Sequence, residues 1–254
     1  LYSLRAYNRL RETRPFYPRH RDRGTFENEE SMTQAPSPGD LSAGRLPVLY
    51  SFRRCPYAMR ARLALAVSQT RCELREVVLK DKPPQLREAS AKATVPILLL
   101  ADGTVLEQSL DILYWALRRH DPEGWLAPGP AAASLIARCD EEFKFHLDRY
   151  KYAARHEPGE GAVHRAAAAA CLEEWNRRIE PGGYLCGNRR SIADVAIAPF
   201  VRQFAAHDSA WFASQPWAPL QTWLAAFAAW PLFALSMRKY TPWSADRPAT
   251  FFPD

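Results

Sequence analysis

Strand-like sequence ends early in this chain, and helix-like sequence fills the rest. Residues 47–52 (PVLYSF) form a short apolar run and residues 73–79 (ELREVVL) alternate with β-branched positions. Residues 95–100 and 105–107 flank Asp102-Gly103, a dipeptide that signals a hairpin. Between these runs, residues 59–67 carry helical apolar spacing with Arg60 and Arg62 on the other side, and residues 85–91 suit a short helix. Ser109 reads as the cap of a third helix reaching Arg119. The order β-α-β-α-β-β-α predicts a mixed sheet with a right-handed crossover in its first unit. Beyond Asp121-Pro122-Glu123-Gly124 and Ala127-Pro128-Gly129-Pro130, strand signals stop, and residues 131–154, 162–180, 191–206, 217–229 and 231–239 read as helices. The expected organisation is an α/β domain at 46–120, a linker at 121–130, an all-α domain at 131–240 and a tail at 241–254. Trp175, Trp211, Trp217, Trp223, Phe227, Trp230 and Phe233 suit the core of the helical part.

Arg53-Arg54-Cys55-Pro56-Tyr57-Ala58 places a thiol where the first strand gives way to the first helix. Proline belongs at a helix start, because its missing N–H would be unpaired there and its fixed φ already suits the helix. The free N–H groups of the first turn, the helix dipole and the two flanking arginines are expected to lower the thiol pKa from about 8.5 toward neutrality. Such a cysteine is a nucleophile, or a base for another thiol's proton; the plainer alternative is a small buried hydrophobe. Ala58 stands where a C-x-x-C motif would have its second cysteine, so redox chemistry here needs an external thiol. Ser51 and Tyr57 are competing hydroxyls and rank below Cys55.

Charge and cysteine usage narrow the function classes. The net charge is +6, and residues 1–31 hold seven arginines against five acids, with no single basic block elsewhere. A solvated surface explains this better than nucleic-acid binding. The five cysteines, at 55, 72, 139, 171 and 186, are scattered without zinc-site spacing, which fits free thiols in a reducing cytoplasm and no metal. No run of 18 apolar residues predicts a membrane span. Residues 1–31 lack a clean period and precede Met32, so Met32 is the expected natural start and residues 1–45 the expected disordered extension.

Four motifs in order resemble the glutathione transferase superfamily: Cys55-Pro56-Tyr57-Ala58, then Val95-Pro96, then Asp102-Gly103 through Gln108-Ser109, then Tyr184 to Gly187 followed by Ser191-Ile192-Ala193-Asp194. The resemblance covers residues 47 to about 240 and implies a thioredoxin-like domain followed by an all-helical one. Arg190 departs from it, standing where the family has an apolar residue before the last cap. It further implies a cis-proline at Pro96, with the Val95 backbone pairing the cysteinyl part of glutathione, and Gln108 and Ser109 receiving the γ-glutamyl end. Lys82 is similar to a lysine placed near the glycyl carboxylate, and Ser191 with Asp194 to a structural capping box. Cys55 in place of a catalytic Tyr or Ser resembles the omega-like and glutaredoxin-like branches. Glutathione is then the co-substrate, and a small electrophile or mixed disulfide the partner. The implied activity is thiol transfer, deglutathionylation or conjugation. Phe143, His146 and Tyr150 are candidates for the acceptor pocket, and a homodimer is expected from the family. The alternative is a non-catalytic binding protein of the same fold, like the stringent-starvation regulators.

Overall fold

A five-stranded sheet carries the first half of the chain, in the order β4-β3-β1-β2-β5. The computed structural model describes residues 45–156 and 159–254. The expectations for residues 1–44, including the start at Met32, lie outside the described residues. β1 (Val48–Ser51) is central, parallel to β2 (Cys72–Glu76) and antiparallel to β3 (Ile97–Leu99), which pairs with β4 (Val105–Leu106). Gly103 has φ +88°, a conformation that glycine adopts without a side-chain clash. The Thr104 amide donates to Asp102 Oδ1 at 2.8 Å and closes the turn between β3 and β4.

The stretch expected as a tail instead completes the sheet. β5 (Phe251–Phe252) pairs antiparallel with β2, and the Trp243 amide donates to the Glu76 carbonyl at 2.9 Å. Phe252 is fully buried, which explains the return: an apolar side chain and an open sheet edge satisfy each other.

α1 (Pro56–Val67) follows β1, α2 (Pro84–Ala89) precedes β3, and α3 (Ser109–Arg119) follows β4. α1 does not have an arginine face in solvent, as its spacing suggested. Both Arg60 and Arg62 are wholly buried, and α1 packs against α3 and against helices of the second half. Each guanidinium is neutralised inside. Arg60 grips Asp140 with two bonds at 2.9 and 2.5 Å and donates Nε to the Ala196 carbonyl at 2.8 Å. Arg62 pairs with Glu76 and donates to Ser51 Oγ at 2.8 Å. Pairing of this completeness is what burial of a charge requires.

The helix expected over 131–154 is interrupted. α4 (Pro130–Arg138) leads into a π-helical turn (Cys139–Phe143) and then α5 (Lys144–Lys151). α6 (Gly161–Ile179), α7 (Ile192–Ala205), α8 (Ser209–Ala213), α9 (Ala218–Ala229) and α10 (Pro231–Ser236) complete the helical layer. α8 had no sequence expectation; Asp208 caps it, accepting from the Trp211 amide at 3.0 Å. Ser191 and Asp194 form the expected capping box at α7, and Asp194 also accepts from the Leu185 amide and Trp223 Nε1, both at 2.9 Å. Arg190 covers Trp230, its guanidinium carbon 3.7 Å from the ring centroid. Trp175, Trp217, Trp223, Phe227 and Phe233 are buried, as expected. Among the described residues no helix is long and apolar enough to cross a membrane.

Candidate functional site

Cys55 occupies the N-cap position of α1 with extended backbone (φ −77°, ψ 122°), and Pro56 opens the first turn. Its amide closes a tight turn to the Phe52 carbonyl at 2.9 Å. The thiol is partly exposed, and Sγ lies 3.6 Å from the Val95 carbonyl oxygen, to which it donates. Strand order brings the two together, since β3 neighbours β1 and Val95 lies two residues before β3. The Val95–Pro96 bond is cis.

The electrostatics of the thiol differ from the sequence expectation. Burial pushes the Cys55 pKa up from its ordinary 9.0, and this outweighs the Ala58 and Tyr57 amides and the positive charges of Lys144 and Arg60, which act the other way. The amides face the sulfur without closing a capping hydrogen bond. The flanking arginines turn elsewhere. Arg53 Nη1 donates to the Met237 carbonyl at 3.3 Å, and the Arg54 guanidinium lies over Phe52. Positive charge therefore reaches the thiol from Lys144 and Arg60, which sequence adjacency did not show.

Gln108 and Ser109 stand at the start of α3, where they were expected, in shifted roles. Gln108 is the N-cap, with the Ile112 amide donating to its carbonyl at 3.1 Å, and Ser109 is the first helical residue. Ser109 is buried and Gln108 exposed, and neither side chain has a hydrogen-bond partner among the described residues. Glu107, one residue earlier, takes Ser90 and Lys92 and ties this corner to the segment leading to Val95. Lys82 is half-buried just before α2, and its side chain pairs with no described residue. The ammonium, the Ser109 hydroxyl and the first-turn amides of α3 are groups suited to an anionic peptide.

The three acceptor-pocket candidates fall in different surroundings. Phe143 is fully buried against Trp175 and Phe204, with centroids 5.0 and 5.7 Å away, and belongs to the core. His146 turns toward α6, its Nδ1 2.9 Å from Nδ1 of His164, and burial with that neighbour holds its pKa below 6.5. The Tyr150 ring packs on Phe204 and His207. The residue of this helical run whose charge reaches Cys55 is instead Lys144, while Asp140 and Asp148 act on Tyr57. Residues four apart share a helix face, and His146, two after Lys144, points to the far side. Lys144 pairs with Asp148, and its Nζ lies 5.8 Å from the Tyr57 ring centroid. The Tyr57 ring packs on Phe200 at 4.9 Å, and burial followed by Asp140 pushes its hydroxyl up to about 12, so it is no ready acid or base. Ser51 Oγ is engaged by Arg62. The i, i+4 spacing of Lys144 and Asp148 was the legible signal for this missed pair.

The sequence and fold match known proteins over both halves. Residues 49–124 match the family model described as glutathione S-transferase, N-terminal domain, and residues 144–230 the one described as glutathione S-transferase, C-terminal domain. A probable maleylacetoacetate isomerase of Caenorhabditis elegans is 27% identical over 166 residues, covering 61% of this chain and 77% of that protein. Among solved structures, glutathione transferase Omega 3C from Trametes versicolor superposes with a TM-score of 0.65 at 20% identity, over 77% of this chain and 85% of the other. A glutathione transferase from Pseudomonas putida, with one glutathione disulfide bound per subunit, gives 0.65 at 18% identity, over 78% and 94%. These structures share the architecture of a thioredoxin-like sheet domain followed by a helical one.

Proposed function

The chain belongs to the glutathione transferase superfamily, and from that premise we propose that it is a glutathione-dependent transferase of the cysteine type acting through Cys55. The observation that carries the reading is the Cys55 thiol at a helix N-terminus, 3.6 Å from the Val95 carbonyl. Glutathione lies along Val95 and Pro96 through its cysteinyl backbone, with its γ-glutamyl end at Gln108 and Ser109 and its glycyl carboxylate toward Lys82. The side chains of Gln108, Ser109 and Lys82, without a hydrogen-bond partner among the described residues, suit that placement. Bound peptide sets the glutathione sulfur beside Cys55.

Thiol transfer follows from a lone cysteine there. The Cys55 thiolate attacks the glutathione sulfur of a mixed disulfide, a new S–S bond forms, and the other thiolate leaves. A second glutathione thiolate attacks the glutathionylated Cys55, releasing glutathione disulfide and restoring the Cys55 thiolate. Ala58 supports this order of events, because no neighbouring cysteine intercepts the intermediate.

The raised Cys55 pKa favours a second reading at the same site. A protonated Cys55 donates its S–H to a glutathione thiolate, which then attacks a small electrophile. The C. elegans relative named as a probable maleylacetoacetate isomerase belongs beside this reading. A cytoplasmic location is supported by the five cysteines, all free thiols. The homodimer rests on the family resemblance alone.

Retention on immobilised glutathione with turnover of a glutathione mixed disulfide tests the proposal. A regulator of this fold passes through the column and turns over nothing.

A further inference from the structure

β1 ends at Ser51, and the next four residues carry the chain to the Cys55 thiol. Ser51 stands opposite Glu76 in the parallel register of β1 and β2, so the last residue of β2 lies beside that turn. The Cys55 amide closes the turn on the Phe52 carbonyl at 2.9 Å, and the Arg53 amide, inside it, donates to Glu76 Oε1 at 2.8 Å. A bond from an amide to a carboxylate is charge-assisted and stronger than one between neutral groups. The turn is therefore held from outside, by a residue 23 positions along the chain from Arg53.

Glu76 is in turn fixed by packed elements. Its carboxylate pairs with Arg62 of α1, whose guanidinium also donates to Ser51 Oγ at 2.8 Å and to the Ser236 carbonyl at 3.1 Å. Its backbone carbonyl accepts from the Trp243 amide at 2.9 Å, and the following amide, that of Val77, donates to the Ser51 carbonyl at 2.7 Å. The Glu76 side chain is 10% exposed and that of Arg62 is fully buried, so water competes weakly for these bonds. Arg53 is two residues before Cys55, and the 3.6 Å contact of Sγ with the Val95 carbonyl depends on the direction in which the turn delivers the thiol. The charges that bear on the sulfur come from Lys144 and Arg60, so the route from Glu76 to Cys55 is the backbone.

From this geometry we propose that Glu76 is a positioning residue for Cys55: its carboxylate fixes the Arg53 amide, and the turn so fixed aims the thiol at the sulfur of glutathione bound along Val95. A displacement of about 1 Å, caused by a change away from the chemistry, costs up to about a hundredfold in rate. The proposal rests on the reading of Cys55 as the nucleophile and gives Glu76 no contact with substrate.

Removing the carboxylate alone strands the buried Arg62, so the test compares two double variants in which Arg62→Met takes the charge away with its partner. Glu76→Gln with Arg62→Met keeps an oxygen for the Arg53 amide, and Glu76→Met with Arg62→Met does not. With a glutathionylated peptide as substrate, the methionine pair is expected to show a kcat about tenfold below that of the glutamine pair at a similar KM, because the residues proposed to bind glutathione lie elsewhere. Its Cys55 should at the same time react about threefold or more faster with iodoacetamide at pH 8, since a thiol released from its buried position loses the burial that raises its pKa. Faster alkylation with slower turnover is a signature that general loss of thiol reactivity does not give. Equal kcat and equal alkylation in the two pairs, or a change in KM alone, overturns the positioning role. If the methionine pair does not fold, Arg53→Pro against Arg53→Ala decides by the same two readouts: both leave Glu76 paired with Arg62, and only proline lacks the N–H, in a turn position that accepts it. If the wild type turns over no glutathione mixed disulfide, the thiol-transfer reading fails, and the alkylation contrast alone upholds or overturns the role of Glu76.

Discussion

The Cys55 thiol donates to the carbonyl oxygen of Val95, 3.6 Å away, the residue whose backbone is proposed to pair with glutathione. Glutathione paired with the Val95 backbone, as proposed, would share that oxygen with the thiol.

In the free protein the thiol is expected to be protonated at neutral pH. Burial raises the pKa of this acid above 9.0, so the folded state favours S–H, and thiolate accumulates only as pH rises through the raised value. The stability that the buried S–H contributes is present at neutral pH and lost across the same interval. Alkylation of Cys55 by iodoacetamide, followed by mass mapping, should accelerate from pH 7 to pH 9 without levelling off. A plateau near neutrality would show that the helix N-terminus outweighs burial.

Lys144 is the helical layer's charge on the thiol. Lys144→Met should raise the Cys55 pKa further and slow alkylation at pH 8 by about three- to tenfold. The same substitution should leave the reactivity of Cys186 unchanged, which separates an electrostatic effect from general loosening.

Asp140 holds the fully buried Arg60. Asp140→Ala leaves a guanidinium inside the protein without its carboxylate and should cost about 3 kcal/mol in urea unfolding. Pairing Asp140→Leu with Arg60→Met should recover much of that loss, because the charge is then removed with its partner. An Asp140→Ala protein as stable as the wild type would mean that water or another acid reaches Arg60.

Removing residues 250–254 deletes β5. The Cys72 sulfur donates to the Phe252 carbonyl at 3.3 Å and is buried, and burial pushes its pKa up to about 12. Without the strand, Cys72 should change from inert to reactive toward a maleimide, as read by mass mapping. Unchanged protection would show that the edge of β2 is covered by something other than β5.

Much of the sheet domain was legible, because its information is local. The apolar runs of β1 and β3, the Asp102-Gly103 turn and Pro56 beside Cys55 each act within a few residues. Cys55 stood out from the strand-to-helix junction and Pro56, while Val95, Gln108 and Ser109 were named only by resemblance; the structure brings Cys55 and Val95 together. What escaped depended on distant partners. Arg60 and Arg62 look like a solvent face until Asp140 and Glu76, 80 and 14 residues away, arrive to neutralise them. Phe143 looks equally suited to pocket and core, and only packing against α6 and α7 assigns it to the core. The return of Phe252 to β2 spans 180 residues from Cys72, and no local pattern announces it. The thiol pKa was misjudged for the same reason: the dipole and neighbouring arginines are visible in sequence, while burial is not.

The most direct test of the account is to trap the intermediate. Incubating the protein with a glutathionylated peptide and no free glutathione, then mapping adducts by mass spectrometry, should find glutathione on Cys55, with turnover of the peptide lost in Cys55→Ser. Full turnover by the serine variant, or glutathione found on other cysteines alone, would contradict a catalytic role for Cys55 in thiol transfer.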